Sequence, residues 1–202
     1  MEVFVKRILI IGIFMIAIIA TFMFFLKKDY KTENFGNTIN SSSIQEYILN
    51  MKSYEAEVEI TIKSNKNENK YLAKQEANSE KAKQEILEPE HIKGVTIQYE
   101  KNELKIENTK LNLSKLYQNY PYIQNNTLFL TSFIEEYKTT SNQKEMENEK
   151  EIILEIKNPG NKYHNCKRLY IDKATKKPTK LEVQDSTQNT IVYILYNEIK
   201  IQ

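Results

Sequence analysis

The run from Ile8 to Leu26 constrains this chain most, because it holds 19 consecutive residues without a charged side chain. At a rise of about 1.5 Å per residue, a helix of this length nearly matches a bilayer hydrocarbon core of roughly 30 Å. Basic pairs flank the run on both sides, Lys6–Arg7 before it and Lys27–Lys28 after it. Residues 1–28 are therefore predicted to form a single membrane-spanning anchor.

A cleaved signal peptide is the competing interpretation of this run. Its apolar region would be about 7–15 residues long, with small residues at the cleavage site. Here Ala20 is followed directly by Thr21–Phe25, so the apolar run continues through the candidate site. This favours an uncleaved anchor. The short tail before the anchor and the long chain after it predict that the bulk of the chain is extracytoplasmic.

Residues 29–40 are polar, contain Gly36 and predict a flexible linker to a domain over residues 41–202.

The charge of the chain after residue 28 excludes a general attraction for nucleic acid. Four basic and one acidic side chain lie in residues 1–28, which leaves 25 basic and 26 acidic groups in the rest. A nearly neutral domain makes nucleic acid an unexpected partner.

Alternation of apolar and polar residues predicts several strands. From Tyr54 to Ile62 every second residue is apolar, so this strand should bury one face. The last strand is apolar on both faces, with Tyr193 and Ile199 on one side and Tyr196 on the other. Such a strand needs cover on both faces or a partner on one. A homodimer is among the predicted partners. Further strands are predicted within 71–84, in a hairpin over 95–106, and at 151–156, 166–172 and 180–184.

Three segments carry the spacing of an amphipathic helix. Ser43 and Glu46 fit a capping box at the start of an apolar stripe over 44–51. A second helix is predicted over 113–120, ended by the following proline, and a third over 129–137, whose aromatic residues are interpreted as core. The fold class is therefore predicted to be α+β, a curved antiparallel sheet with helices on its concave face.

The residues with catalytic or metal-binding chemistry are few. The single cysteine, Cys166, cannot form an intramolecular disulfide. With only two histidines, His91 and His164, the chain lacks the ligands of a zinc site, so no metal or other cofactor is expected. Glu88 and Glu90 are interpreted as part of a solvated loop, as is the basic run 173–180. No enzymatic activity is predicted.

The domain resembles two related groups of proteins. Its C-terminal part resembles the signature of LolA-like lipoprotein-carrier domains, at Leu169–Lys173, Lys177–Glu182, Asp185 and Tyr193–Ile199. From about Ser43 to Gln202 it resembles more closely the GerS-type germination lipoproteins of endospore-forming bacteria. The matching stretches are Ser64–Asn67, Asn69, Tyr71, Glu88–Glu90, Ile92, Gly94, Ile97, Tyr99, Asn108–Thr109, Leu111–Tyr117, Phe133–Ile134 and Tyr137. The lipidated cysteine of that family is missing, which leaves anchoring to the apolar helix.

This resemblance implies a LolA-like half-barrel with a non-enzymatic role. Proteins of the GerS type act with the sporulation N-acetylmuramoyl-L-alanine amidase, so that muramic-δ-lactam forms in the cortex peptidoglycan and the spore can germinate. The zinc in such a pair belongs to the amidase. The resemblance therefore implies a cell-wall amidase as partner and a location in the forespore or spore envelope.

Candidate partner-binding residues follow from side-chain chemistry. Residues 29–202 contain 13 Tyr and three Phe, and Tyr suits half-buried interface positions. The exposed face of the 166–172 strand and the last strand offer five candidates: Arg168, Tyr170, Asp172, Tyr193 and Tyr196. The alternative function is a lipid or lipoprotein carrier with an apolar cavity between sheet and helices. The 19-residue anchor opposes a freely diffusing carrier.

Overall fold

The computed structural model describes residues 41–64, 66–100, 103–118 and 128–202. The predicted anchor and linker lie outside these residues, and so does the turn at residues 101 and 102. Within the described ranges no helix has the length and apolar character that a membrane span requires.

Two helices and eleven strands make up the described domain. The helices are α1 (Ser41–Leu49) and α2 (Leu130–Thr139), and a short 3₁₀ helix spans Glu90–Ile92. The strands are β1 (Ser53–Lys63), β2 (Glu68–Asn78), β3 (Lys81–Glu88), β4 (Val95–Glu100), β5 (Glu103–Asn108), β6 (Leu113–Gln118), β7 (Gln143–Glu147), β8 (Glu151–Lys157), β9 (Cys166–Asp172), β10 (Lys177–Gln184) and β11 (Thr190–Ile201).

All eleven strands belong to one antiparallel sheet. Its order is β6-β5-β4-β3-β2-β1-β11-β10-β9-β8-β7, so two meanders of consecutive strands meet where β1 pairs with β11. In the part of the chain that the structure describes, the edge strands β6 and β7 do not pair with each other, so the sheet is unclosed. The prediction of an α+β fold with an antiparallel sheet is confirmed.

One face of the sheet, here called the inner face, carries the hydrophobic core. Alternate residues of the central strands are almost fully buried there, among them Val58, Leu154 and Leu169. They form one cluster with the buried side chains of both helices, including Ile44 and Phe133. The opposite face, here called the outer face, carries the charged and half-buried residues of the same strands. Burial of one face explains the alternation that the sequence shows.

A buried polar chain links α2 to the inner face. The Tyr54 hydroxyl accepts a hydrogen bond from the Leu130 backbone N–H (3.2 Å) and donates one to Gln75 (2.9 Å). The Gln75 amide in turn donates to Gln84 (2.9 Å) and to the Leu128 carbonyl (2.8 Å). Both glutamines are buried, and each finds a partner because unpaired polar groups in a core are costly. These bonds fix the start of α2 over the middle of the sheet.

The helix predictions have three different outcomes. The helix over 129–137 is confirmed as α2, with Phe133, Ile134 and Tyr137 buried. The first helix is also present, but it begins at Ser41, so the capping-box position Ser43 lies inside it, and Tyr47 is exposed rather than part of the apolar stripe. The predicted helix over 113–120 is wrong.

Residues Leu113–Gln118 form the edge strand β6, paired with β5. The hairpin turn before it is set by Asn108, whose side chain accepts from the Leu111 backbone N–H (3.1 Å), and by Asn112, which has a φ of +50°. Leu113 and Leu116 are exposed, so their helix-like spacing does not mark a buried helical stripe.

The predicted faces of the last strand also need a correction. The β1–β11 register shifts between Glu57 and Val58, because Val58 pairs with Tyr196 and Glu57 with Glu198. Asn197 is thus the extra residue of a β-bulge, and alternation changes phase there. Ile199 therefore shares the inner face with Tyr196, instead of lying on the side of Tyr193.

Candidate functional site

The candidate site lies on the outer face of strands β9 to β11. Arg168 and Tyr170 on β9 share this face with Tyr193 on β11, because β10 connects them through the pairs Glu182–Arg168 and Glu182–Tyr193. We define the outer patch as the residues Arg168, Tyr170, Lys180, Glu182 and Tyr193. All five are partly exposed. Three of the five predicted partner-binding residues are therefore brought together on one surface.

Lys180 organises the centre of the outer patch. Its Nζ lies 3.8 Å from the centroid of the Tyr170 ring and 5.7 Å from that of the Tyr193 ring. The same ammonium group forms an ion pair with Glu182 (3.0 Å), and the Tyr170 hydroxyl donates to the other carboxylate oxygen (2.9 Å). Burial, together with this hydrogen bond, raises the pKa of Tyr170 to about 12. The tyrosine is therefore a neutral, fixed donor at physiological pH.

Arg168 is held in place by a buried carboxylate. Its Nε donates to Glu155 on the neighbouring strand β8 at 2.7 Å, and Lys157 approaches the second oxygen at 3.6 Å. Burial acts to raise the pKa of Glu155, but the two cations outweigh it and hold that pKa below its usual range. Glu155 is therefore ionised, and it orients a guanidinium group that remains partly exposed.

The other two predicted residues have different surroundings. The Asp172 carboxylate accepts from the backbone N–H (2.7 Å) and the hydroxyl (2.8 Å) of Thr175, which closes the β9–β10 turn and lowers the pKa of Asp172. Tyr196 lies on the inner face, where burial raises its pKa. No hydrogen-bond partner for its hydroxyl is found among the described residues. Tyr196 is thus separated from the outer patch by the sheet itself.

The remaining chemically interesting residues do not assemble into a site. Burial raises the pKa of the Cys166 thiol and lowers the pKa of His164. Glu90 is exposed and forms ion pairs with Lys93 (3.4 Å) and Lys110 (3.1 Å). Within the described ranges no group of three or more His, Cys, Asp or Glu side chains has the arrangement of a metal site.

Buried side chains of the α2 segment pack on the inner face of the sheet. Phe129, Leu130 and Phe133 of the α2 segment are at most 2% exposed and contact the same cluster as the strands. The Phe129 ring also packs edge-on against Tyr99, with 5.8 Å between centroids. Among the described residues these contacts form a packed core, and the carrier alternative, which places a cavity between sheet and helices, is not confirmed.

Sequence reasoning missed three residues of this arrangement: Lys180, Glu182 and Glu155. Lys180 and Glu182 lie on β10 and Glu155 lies on β8, so only the register of these strands with β9 brings them to Arg168 and Tyr170. Alternating charged residues on an outer face are ordinary in a sheet, so the sequence alone gives no signal that distinguishes them.

The fold and the outer patch together define an α+β protein built on one unclosed antiparallel sheet, with its core on one face and a pre-ordered surface of tyrosines and paired charges on the other. The model of the YdcC-like sporulation protein family matches residues 5–202. The chain therefore belongs to this family of sporulation proteins.

Solved structures show the same fold and one closer likeness. The chain is 26% identical to the GerS lipoprotein in the structure of the CwlD amidase from Clostridioides difficile in complex with GerS, with a TM-score of 0.53 over 85% of this chain and 100% of that one. A conserved protein from Thermus thermophilus has a TM-score of 0.52 at 13% identity, over 80% of this chain and 87% of the other. The resemblance to the GerS type is thus confirmed.

A LolA superfamily protein from Nitrosomonas europaea is more distant, with a TM-score of 0.41 at 13% identity over 82% of this chain and 94% of that one. A search of curated proteins finds no significant match.

Proposed function

We propose that this chain is a non-enzymatic partner of a cell-wall amidase, held at the membrane by residues 8–26 with its domain outside the cytoplasm. One observation carries the proposal: 85% of this chain matches the whole GerS chain in the structure of that lipoprotein in complex with the CwlD amidase. Membership of a sporulation protein family supports the same setting.

The proposed partner is the N-acetylmuramoyl-L-alanine amidase that acts on spore cortex peptidoglycan. In this proposal the amidase carries the zinc and makes and breaks bonds, while the present chain supplies a binding surface and no cofactor. The result would be muramic-δ-lactam in the cortex and spores able to germinate. The anchor would place the complex at the forespore or spore envelope.

The outer patch is the proposed contact surface. Helices and buried side chains already occupy the inner face, whereas the outer patch is partly exposed. Tyr and Arg are the side chains that most often dominate binding energy in protein interfaces. Here Glu155 and Glu182 already hold Arg168 and Tyr170 in place, so little side-chain entropy remains to be lost on binding.

Co-purification tests the central proposal. The full chain, expressed in sporulating cells and extracted in mild detergent, should bring down the sporulation amidase, and deleting it should abolish muramic-δ-lactam in the cortex. A chain that binds no amidase, and whose deletion leaves the cortex unchanged, would refute the proposal.

The anchor is tested separately. The full chain should stay with membranes after a carbonate wash, because about 19 apolar residues are enough for a span. A variant lacking residues 8–26 should be released. As a matched control, a variant lacking the polar linker residues 29–38 should remain in the membrane fraction. Release of the full chain by carbonate would show that it has no integral anchor.

Two substitutions test the outer patch. Arg168→Glu and Tyr170→Ala should each weaken amidase binding at least about tenfold, because truncating an interface hot spot typically costs about 2 kcal/mol or more. Arg168→Glu also places a second carboxylate next to that of Glu155. Binding to the immobilised amidase can be measured by surface plasmon resonance.

Tyr163→Ala is the matched control for these substitutions, since Tyr163 is 67% exposed and lies in the β8–β9 loop, outside the outer patch. It should leave the affinity unchanged. If all three variants bind like the unmodified chain, the amidase contacts a different surface.

A further inference from the structure

A row of mainly apolar side chains crosses the outer face of strands β7 to β11. Cross-strand pairs connect Met146 to Ile153, Ile153 to Tyr170, Tyr170 to Lys180 and Lys180 to Leu195. We call these five residues the cross-strand row. All five are partly exposed. The solvent face of an antiparallel sheet is commonly polar, so a continuous apolar row there is typical of an interaction surface.

The cross-strand row is separate from the hydrophobic core. Within the described ranges, Met146, Ile153 and Leu195 do not belong to the core cluster, which both helices join on the inner face. The charge of Lys180 is already satisfied, because its ammonium group lies 3.8 Å from the Tyr170 ring centroid and 3.0 Å from a Glu182 carboxylate oxygen. A partner that covers the row therefore meets apolar surface and no unpaired charge.

The spacing of the row matches the side chains of a helix. Neighbouring strands lie about 4.8 Å apart, so the row is about 19 Å long. A helix laid across the strands presents one side chain per turn of about 5.4 Å, which is nearly one per strand. An extended segment presents a side chain on one side only every 6.7 Å or so and falls out of step within about three strands. About 13 helical residues would cover the row.

Carboxylates lie beside the β11 end of the row. Leu195 pairs with Glu59 on β1, and Glu57 lies directly opposite Glu198 on the same two strands. Glu57 and Glu198 are exposed, and in the described part of the chain neither forms an ion pair. The adjoining groove of about 320 Å³ is lined by four carboxylates and two lysines, so its net charge is negative. Opposed like charges are unfavourable in a sheet, and basic groups of a partner would relieve this repulsion.

We propose that an amphipathic helix of the amidase lies across the cross-strand row. Its apolar side contacts Met146, Ile153 and Leu195, and its end over β11 and β1 carries basic residues that face Glu57 and Glu198. This inference rests on the proposed function and adds to it the kind of segment that the amidase presents. The row shares Tyr170 and Lys180 with the outer patch, so the two form one surface.

Threonine substitutions test the apolar contact. Ile153→Thr and Leu195→Thr remove apolar volume but keep side chains suited to a strand, so each should weaken binding of the full chain to immobilised amidase at least about tenfold. Leu116→Thr is the matched control, since Leu116 lies on the outer face of the far edge strand β6. It should change the affinity less than about twofold.

A pair of charge-removing substitutions tests the acidic end of the row. Glu57→Gln combined with Glu198→Gln should weaken amidase binding about five- to tenfold at about 0.05 M salt, and about twofold or less at about 0.5 M, because salt screens exposed charges. Glu100→Gln combined with Glu103→Gln is the matched control, since these two carboxylates are also directly opposed, but on β4 and β5. The control should leave the affinity unchanged at both salt concentrations.

Photo-crosslinking identifies the contacting segment directly. A photoreactive amino acid replaces Ile153 or Leu195 in the full chain, which is then irradiated with the purified amidase. Mass spectrometry should find the same amidase helix at both positions, with its basic end cross-linked at position 195. Cross-links to a loop or an extended segment would overturn the proposal.

The affinity measurements separate this inference from the proposed function. If the unmodified chain binds no amidase, the proposed function fails and the helix contact fails with it. If the unmodified chain binds, and the variants at positions 153, 195 and 57 with 198 bind equally well, the amidase remains the partner and only the helix contact is overturned.

Discussion

Replacing Phe133 with alanine is expected to lower the free energy of unfolding by about 3–5 kcal/mol. The ring is 2% exposed, and it stacks on Tyr137 with 6.0 Å between centroids. It belongs to the helix face that packs on the sheet, so its removal leaves a cavity between the two layers. Urea denaturation of the full chain, followed by circular dichroism, measures the change.

Leu111→Ala provides the control for this substitution. It also removes a large apolar side chain, but from a position that is 64% exposed, so a change within about 0.5 kcal/mol is expected. Equal destabilisation by the two substitutions would mean that Phe133 of α2 does not pack on the sheet.

Removing the carboxylate of Glu136 is expected to lower the free energy of unfolding by a similar amount. Glu136 on α2 forms an ion pair with Lys167, whose side chain is only 5% exposed on the inner face of β9. Asn158 also donates to the same carboxylate. Glu136→Ala leaves the lysine buried without this partner, and breaking a buried pair in this way typically costs about 3–5 kcal/mol.

The double substitution Glu136→Leu with Lys167→Met distinguishes pairing from packing. It removes both charges and retains apolar volume, so its stability should return to within about 1–2 kcal/mol of the unmodified chain. Urea denaturation of the single and double variants completes the comparison. A double variant as unstable as Glu136→Ala would show that the ion pair itself, rather than an unpaired lysine, accounts for the loss.

Segments with one face buried could be predicted well from the sequence. Strand β1 alternates because Tyr54, Val58 and Ile60 face the core, and α2 has its helical stripe because Phe133, Ile134 and Tyr137 do. In these segments, local periodicity and tertiary burial agree. Amphipathic patterns are informative only where one face is buried against a neighbouring element.

The two edge strands could not be predicted, because neither buries a regular face. Strand β7 is polar throughout apart from Met146, so it lacks the apolar alternation of a strand. In β6 the leucines happen to have helical spacing, while the cross-strand pairs with β5 decide the structure. Such pairing joins residues that local sequence windows treat separately.

The candidate site was predictable in its residue types but not in its geometry. Arg168, Tyr170 and Tyr193 stand out by chemistry, whereas their partners Glu155, Lys180 and Glu182 are ordinary charged residues in sequence. Which face each residue occupies depends on strand register. The bulge at Asn197 shows this, because a single extra residue places Ile199 on the same face as Tyr196.

The pairing of β1 with β11 has a consequence for the order of assembly. Tyr54 near the start of the domain pairs with Ile201, and the second meander must be made before this seam can close. A chain still emerging during synthesis can fold its first meander locally, but the apolar edge of β1 then remains open. Contacts of such long sequence separation form slowly. The domain therefore reaches its native state only after its last strand, β11, has left the ribosome. Until then the edge of β1 is exposed to chaperones and proteases.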